Sequence, residues 1–272
     1  MSSRVPATVL GKERQTATVI FSHGLGDTSD GWISLARGWS KKFPYIKFVL
    51  PTAPTQPVTM NGGMRMTSWY DIVDLGERNN HHAPTGMEQS ASIIKSIIAE
   101  EERNFGIPRS RIVLGGFSQG AALSLWTGLQ IPGERVGGVV ALSGYLPGSG
   151  DFKISEAGKN TPIFQAHGTH DALIRMSAAE KTKAKIFADG HVGKYDFKVY
   201  QNMAHSACDA EIADVANFLG TVLPDLGTRT DFENMSVKEL KEALVSRGVD
   251  PKIFLEKAEM VQALKTQTNT QH

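Results

Sequence analysis

The sequence contains very little cysteine and almost no net charge. Cys208 is the only cysteine among the 272 residues, which excludes a disulfide within the chain. The 29 lysines and arginines are balanced by 28 aspartates and glutamates, so the formal net charge is +1. Nucleic-acid-binding domains usually carry a basic excess. The composition therefore argues against a nucleic acid or an acidic polymer as the main partner.

Long hydrophobic runs are also missing. Apart from the segment that follows Gly120, apolar runs such as 18–21 and 46–50 have the length of a strand, and none approaches the ~18 residues that a membrane span requires. The first six residues include no apolar stretch of the kind found in secretory signals. Together with the single cysteine, these features predict a soluble protein of the cytoplasm.

Short apolar runs alternate with longer amphipathic segments over residues 1–225. This alternation is typical of an α/β protein with a mostly parallel sheet and helices on both faces. Strands are predicted at 18–22, 46–50, 111–115, 138–143, 162–167 and 195–200. Helices are predicted after Gly120 and at 87–103, 177–189 and 209–223.

A domain boundary is predicted just after the last of these helices, where Pro224-Asp-Leu-Gly interrupts the pattern. We expect a main domain over 1–228, a small helical appendage over 229–266 and a disordered polar tail over 267–272.

The appendage is predicted to form two short helices. Ser236 begins a capping box at the start of the first, and Val237, Leu240 and Leu244 fall on one of its faces. The second helix is predicted at about 255–265.

The stretch Gly116-Phe117-Ser118-Gln119-Gly120 connects a predicted strand to a predicted helix. In this setting, G-x-S-x-G is typical of a nucleophile elbow. The glycines let strand and helix approach each other, and the tight turn pushes the serine into solvent at the positive end of the helix dipole. We therefore predict that Ser118 is a catalytic nucleophile, with a structural turn as the alternative.

A serine nucleophile needs a general base, and the base needs an orienting acid. In a sheet of this kind both follow the serine on loops after later strands, the acid first and the histidine second. Asp171 follows the strand at 162–167, and His205 follows the strand at 195–200. We predict that Asp171 and His205 complete a catalytic triad with Ser118.

Other roles for these residues stay open. Asp171 could instead cap the helix that follows it, and the spacing of His167, His170 and Asp171 would also suit a metal ion. We expect no metal, because the triad accounts for the same loop. Cys208 lacks a glycine elbow, so we expect a small buried side chain rather than a nucleophile. Weaker candidates for the acid are Asp189 and Asp196.

Attack by Ser118 would create an oxyanion that needs two backbone donors. One is the N–H of Gln119, directly after the serine. The other is expected from the loop His23-Gly24-Leu25-Gly26-Asp27, whose glycines can turn an amide inward, and we assign it to Leu25. The alternative for this loop is an ordinary glycine-rich turn.

Five ordered motifs resemble those of the acyl-protein thioesterase family, also called the lysophospholipase/carboxylesterase family, over about residues 5–224. The motifs are Phe21-Ser-His-Gly-Leu-Gly-Asp, Ser68-Trp-Tyr-Asp-Ile, Arg111-Ile-Val-Leu-Gly-Gly-Phe-Ser-Gln-Gly, Leu142-Ser-Gly-Tyr-Leu-Pro and Met203-Ala-His-Ser. The resemblance implies an α/β-hydrolase fold and removal of fatty acyl groups, notably palmitate, from protein cysteines. Lysophospholipids and small carboxylic esters are the alternative substrates.

The resemblance also implies the roles of several residues. Ser118, Asp171 and His205 match the family's triad, and Leu25 and Gln119 match its oxyanion donors. No cofactor and no metal is implied. The segment 57–68 resembles the acyl-binding loop, where methionines suit a flexible apolar pocket. The residues expected to bind the acyl chain are Met60, Met64, Met66 and Trp69.

Two features depart from the family pattern. Some members carry a palmitoylated cysteine at the second position, where this chain has Ser2, so only transient contact with a membrane surface is expected. The C-terminal appendage resembles a SAP-like helix–loop–helix module. Residues 229–272 contain seven basic and seven acidic side chains, which does not favour DNA binding. Contact with a protein, or packing on the hydrolase, is expected instead.

Overall fold

The structure, a computed structural model, describes residues 6–11, 15–74, 82–226, 235–245 and 248–268. The chain divides into two compact units, Met1–Asp225 and Leu226–His272. The predicted boundary between residues 228 and 229 lies outside the described residues, and so does the predicted tail beyond Thr268.

Most strands of the first unit belong to one sheet. Its seven strands lie in the order β1-β3-β2-β6-β7-β8-β9, and all neighbours are parallel except the edge strand β1. β4 and β5 form a separate antiparallel hairpin. The strands in the described residues are β1 (Ala7–Leu10), β2 (Ala17–Ser22), β3 (Ile46–Pro51), β4 (Thr55–Val58), β5 (Met64–Thr67), β6 (Ile112–Phe117), β7 (Gly138–Leu142), β8 (Ile163–Gly168) and β9 (Tyr195–Tyr200).

Helices cover both faces of the sheet, and each face has its own apolar core. Because side chains alternate along a strand, Val19 of β2 packs in the core with α1 and α5, whereas Ile20 packs in the core with α2 and α3. The predicted α/β fold class is therefore confirmed. The helices of this unit are α1 (Asp30–Lys42), α2 (Met87–Phe105), α3 (Gln119–Gln130), α4 (Met176–Ala188) and α5 (Asp209–Val222).

Four elements of the first unit are missing from the sequence-based prediction, namely β1, α1, β4 and β5. β1 is a short edge strand, and α1 buries Trp32, Ala36 and Trp39 at helical spacing but contains two glycines that weaken the pattern. The segment 57–68, expected to be a loop, instead forms part of the β4–β5 hairpin. Pro57 lowers the strand propensity there because it has no N–H to donate.

The second unit contains α6 (Val237–Val245) and α7 (Lys257–Thr268). The predicted capping box is present: the N–H of Ser236 donates to Glu239 at 2.7 Å, and the N–H of Glu239 donates back at 3.3 Å. Val237, expected on the apolar face, is 44% exposed. The core of this unit consists of Leu240, Leu244, Met260, Val261 and Leu264. Among the described helices of the chain, none is long and apolar enough to span a membrane.

The β6–α3 connection is packed so closely that only glycine fits. A Cβ at Gly120 would lie 2.1 Å from the carbonyl oxygen of Ser22, and a Cβ at Gly116 would lie 2.4 Å from the carbonyl carbon of Gly120. Both neighbours are backbone atoms, which cannot rotate away. The two glycines therefore allow β2, β6 and α3 to meet at the turn that holds Ser118.

We expect Gly120→Ala to lower the free energy of unfolding by at least about 1–3 kcal/mol, because the added methyl group overpacks a backbone crossing. Gly38→Ala is the matched control. Gly38 lies inside α1, and a methyl group added there would have no neighbour within 4 Å, so alanine should raise the free energy of unfolding by about 0.5–1 kcal/mol. Urea denaturation of both variants measures the difference, and equal effects would contradict the packing argument.

Candidate active site

Ser118 lies in a strained turn between β6 and α3. Its backbone has φ 54° and ψ −115°, a region that non-glycine residues rarely adopt. The surrounding strands hold this conformation, since the N–H of Ser118 donates to the carbonyl of Leu142 at 2.8 Å. The turn places the serine hydroxyl at the carboxyl edge of the sheet and at the N-terminus of a helix.

The structure brings the three predicted triad residues into one hydrogen-bonded chain. Ser118 Oγ lies 3.0 Å from His205 Nε2, and His205 Nδ1 lies 2.7 Å from Asp171 Oδ2. Because a carboxylate only accepts, Nδ1 carries the imidazole proton and Nε2 is free to accept the serine proton. These distances are those that activation of a serine by a histidine requires.

A buried turn holds the Asp171 carboxylate. The side chain has no exposed surface, and Oδ1 accepts the backbone N–H groups of Leu173 at 3.0 Å and Ile174 at 2.8 Å. His167 Nε2 donates to the carbonyl of Ile174 at 2.7 Å and lies 3.4 Å from Asp171 Oδ2. Burial lowers the pKa of His167, which favours its neutral form. The carboxylate thus receives hydrogen bonds from the backbone and faces one partly exposed imidazole.

The alternatives for Asp171 fit the structure less well. The residue that precedes α4 is Arg175, so Asp171 shapes a turn and does not cap the helix. His170 has an exposed side chain and contacts the hydroxyl of Thr169 at 3.1 Å. Within the described parts of the chain, no group of three or more histidine, cysteine, aspartate or glutamate residues could hold a metal ion.

The loop that carries His205 packs tightly on the loop after β8. A Cβ at Gly168 would lie 2.1 Å from the carbonyl oxygen of Met203, and the N–H of His170 donates to that carbonyl at 3.0 Å. On the other side, the His205 ring lies 4.8 Å from the ring of Phe117. Contacts on both sides therefore restrict the position of the imidazole.

The predicted oxyanion residues lie on the two segments that border Ser118. Gln119 follows the serine directly as the first residue of α3. Leu25 lies in the loop after β2, where a Cβ on the neighbouring Gly24 would be 3.5 Å from Ser118 Cβ. The N–H of Gly26 donates to the carbonyl of Thr67 at 2.8 Å, so the β4–β5 hairpin supports this loop.

The four predicted acyl-binding residues occupy different environments. Met66 is partly buried on the core, and its sulfur lies 4.0 Å from the Cβ position of Gly26, beside the oxyanion loop. Met60 and Met64 are 36% and 63% exposed. Trp69 is fully buried, and its indole N–H donates to the carbonyl of His23 at 2.9 Å. The expectation that Trp69 contacts the acyl chain therefore needs correction, because the side chain has no accessible surface.

Two residues of the site were missed by sequence reasoning. His23 and Ser68 are buried polar residues that make hydrogen bonds around the oxyanion loop. His23 directly follows a fully buried strand, and that position is a signal that could have identified it. The expectation of a buried Cys208 is also corrected, since this residue is half-buried at the start of α5.

Glu211, in the first turn of α5, lies close to the His205 loop and is completely buried. Burial raises the pKa of its carboxyl from 4.5 to about 8, an effect that the backbone N–H of Cys208 offsets only in part. The folded protein therefore keeps a proton that the unfolded chain releases above pH 4.5. Stability is lost as the pH rises from about 4.5 to about 8.

We expect Glu211→Gln to remove this pH dependence. Relative to the variant, the wild-type free energy of unfolding should fall by up to about 1.4 kcal/mol per pH unit between those two values. Urea denaturation of both proteins at pH 5, 6.5 and 8 measures this difference in the free energy of unfolding. Glu180→Gln, at an exposed position of α4, is the control and should leave the wild-type pH dependence unchanged. A constant difference between wild type and Glu211→Gln would show that folding does not raise the pKa of this carboxyl.

Comparison with known proteins finds a family model and relatives that cover most of the chain. The model of the phospholipase/carboxylesterase family matches residues 4–223. Acyl-protein thioesterase 1 of Yarrowia lipolytica is 42% identical over 221 residues, covering 79% of this chain and 94% of the relative. Acyl-protein thioesterase 1 of Emericella nidulans is 40% identical over 233 residues, covering 82% and 97%. The matched family region ends before α6.

Solved structures show the same fold. The crystal structure of Zea mays acyl-protein thioesterase 2 superimposes with a TM-score of 0.70 at 27% identity, covering 80% of this chain and 99% of that one. Arabidopsis thaliana SOBER1 gives a TM-score of 0.69 at 26% identity, covering 76% and 99%.

Proposed function

Because the chain belongs to the phospholipase/carboxylesterase family, we propose that it removes fatty acyl groups such as palmitate from S-acylated protein cysteines. The observation that carries the proposal is the continuous contact from Ser118 through His205 to Asp171. The identity of 42% with an acyl-protein thioesterase 1 supports the thioester as the substrate.

In the proposed acylation step, Ser118 Oγ attacks the thioester carbonyl carbon while its proton passes to His205 Nε2. The N–H groups of Leu25 and Gln119 stabilise the resulting oxyanion. When the tetrahedral intermediate collapses, the carbon–sulfur bond breaks and the cysteine sulfur takes the proton from His205. The acyl group is then an ester of Ser118.

Deacylation repeats these steps with water as the nucleophile. His205 Nε2 accepts a proton from the water, the oxygen attacks the acyl carbon, and the proton returns to Ser118 as the fatty acid leaves. Asp171 stays ionised and stabilises the imidazolium that forms in each half-reaction. Its two backbone hydrogen bonds support this role, because they hold the carboxylate beside His205 Nδ1.

Lysophospholipid or small-ester hydrolysis is the second candidate. The matched family is described as phospholipase/carboxylesterase, and an oxygen ester would use the same three residues. The two reactions differ in the leaving group, an alcohol instead of a thiol, so discrimination depends on the surface that receives the leaving group.

The proposed setting is the cytoplasm, where a chain with a single, half-buried cysteine needs no disulfide. Its substrates would be S-acylated proteins met during transient contact with a membrane surface. For the second unit we propose contact with a protein rather than DNA, because basic and acidic residues are equal in number over 229–272.

We expect a fluorophosphonate probe to label Ser118 alone. Ser118→Ala should abolish labelling and lower kcat on a palmitoyl thioester by at least about 10⁴-fold, because no other group replaces the nucleophile. Ser124→Ala is the matched control: this serine is buried in the same helix and bonds to Gly120, so its loss should change neither readout. Labelling or turnover that persists in Ser118→Ala would overturn the triad proposal. A lysophospholipid turned over faster than the thioester would favour the second candidate.

The kcat/KM for acyl thioesters should rise with chain length, because each buried CH₂ contributes up to about 0.8 kcal/mol. Met66 lies where the chain would leave the oxyanion loop, so Met66→Ala should reduce the ratio of palmitoyl to acetyl kcat/KM while sparing the acetyl rate. Met235→Ala, in the second unit, is the control. Equal kcat/KM for acetyl and octanoyl thioesters would show that the hairpin forms no acyl site.

A further inference from the structure

The side chain of Gln119 is almost completely buried and binds the backbone of a distant segment. Its Oε1 accepts the N–H of Trp69 at 2.8 Å, and its Nε2 donates to Ser68 Oγ at 2.9 Å and to the carbonyl of Tyr70 at 2.7 Å. Every polar group of the amide is therefore used. The proposed chemistry uses the backbone N–H of Gln119 as an oxyanion donor. It makes no use of the three side-chain hydrogen bonds.

Trp69 continues the connection to the other side of the site. Its indole N–H donates to the carbonyl of His23 at 2.9 Å, and its own carbonyl accepts the hydroxyl of Ser90. The ring lies 5.3 Å from the His23 imidazole. A fully buried tryptophan is thus held at both backbone and side chain, and it connects the start of α3 to the end of β2.

His23 fixes the peptide group that carries the second oxyanion donor. The N–H of Ala53 donates to His23 Nε2 at 2.9 Å, so the proton is on Nδ1, which donates to the carbonyl of Gly24 at 2.6 Å. Burial lowers the pKa of His23 and keeps this neutral form. The carbonyl of Gly24 and the N–H of Leu25 belong to the same planar peptide unit, so fixing one orients the other.

We propose that the Gln119 side chain, Trp69 and His23 form one hydrogen-bonded bridge that sets the orientation of the two oxyanion donors relative to each other. All three are positioning residues in this role. The inference rests on the proposed function of the Leu25 and Gln119 amides. It explains why a glutamine side chain, a tryptophan and a histidine are buried together beside a site whose chemistry uses none of their polar atoms.

A double-mutant cycle tests the bridge. Gln119→Met keeps the backbone N–H and the side-chain length, and Trp69→Phe removes the indole donor. Each should lower kcat on a palmitoyl thioester about 10- to 100-fold with little change in KM, because the donors serve the transition state. Both changes break the same bridge. The kcat of the double variant should therefore be at most about threefold below that of the less active single variant.

Inhibitor binding separates positioning from general destabilisation. An alkyl trifluoromethyl ketone, whose Ser118 adduct carries an oxyanion, should bind each variant less tightly in proportion to the loss of kcat/KM. A palmitoyl thioether forms no oxyanion, so it should bind each variant as tightly as it binds the wild-type protein. Gln165→Met is the matched control, because the Gln165 side chain is equally buried and, within the described residues, bonds to Ala179 and Tyr195, away from Leu25 and Gln119. It should lower the melting temperature but not kcat.

The proposal would be overturned if the kcat loss of the double variant equalled the product of the two single losses. It would also be overturned if Gln119→Met and Gln165→Met had equal kcat. If Gln119→Met does not fold, Trp69→Phe with the two inhibitors gives the answer alone: equal weakening of both inhibitors, or of neither, would overturn it. Failure of the proposed function is seen separately, in wild-type protein that shows no thioester turnover dependent on Ser118.

Discussion

The carboxyl edge of the sheet, where Ser118, Asp171 and His205 meet, depends on one close approach between two backbone segments. α3 crosses β2 where Gly120 lies against Ser22, at a distance that leaves no space for a methyl group. β6 runs into Ser118, and β2 runs into the loop that contains Leu25. Because parallel strands end at the same edge, this crossing brings Ser118 and the loop that contains Leu25 side by side. Any separation of helix and strand would move both at once.

Four histidines of the described residues lie at this edge; His170 is exposed, and the surroundings of the other three differ. His23 and His167 are buried, burial lowers the pKa of each, and each donates one hydrogen bond to a backbone carbonyl. Both imidazoles are neutral, and their hydrogen bonds hold the loops after β2 and β8 in place. Of these three, His205 alone keeps some exposed side-chain surface, 17%, together with a carboxylate behind it and a hydroxyl in front. Solvent access thus separates the two imidazoles that hold loops from the one that contacts both a hydroxyl and a carboxylate.

Local patterns predicted most of the sheet, and chain order predicted which residues meet. All six predicted strands are present within two residues of their expected bounds. Five of them are buried parallel strands, which are rich in apolar residues, whereas the edge strand β9 is half-exposed and alternates aromatic or apolar with charged residues. The β4–β5 hairpin was not predicted, since its strands are short and Pro57 weakens one of them. Trp69 was assigned to the acyl site from a motif, although its burial follows from tertiary contacts that no spacing encodes. The role of His23 likewise depends on Ala53, thirty residues away along the chain.

The second unit has an apolar core of its own. Among its described residues, the buried members of this core lie on α6 and α7, the partly buried Met235, Val249 and Phe254 pack against them, and the first helix begins with a capping box. Because the apolar core and the capping box are both formed by residues of this unit, substitutions at Leu240 or Leu244 act first on the packing of its own two helices.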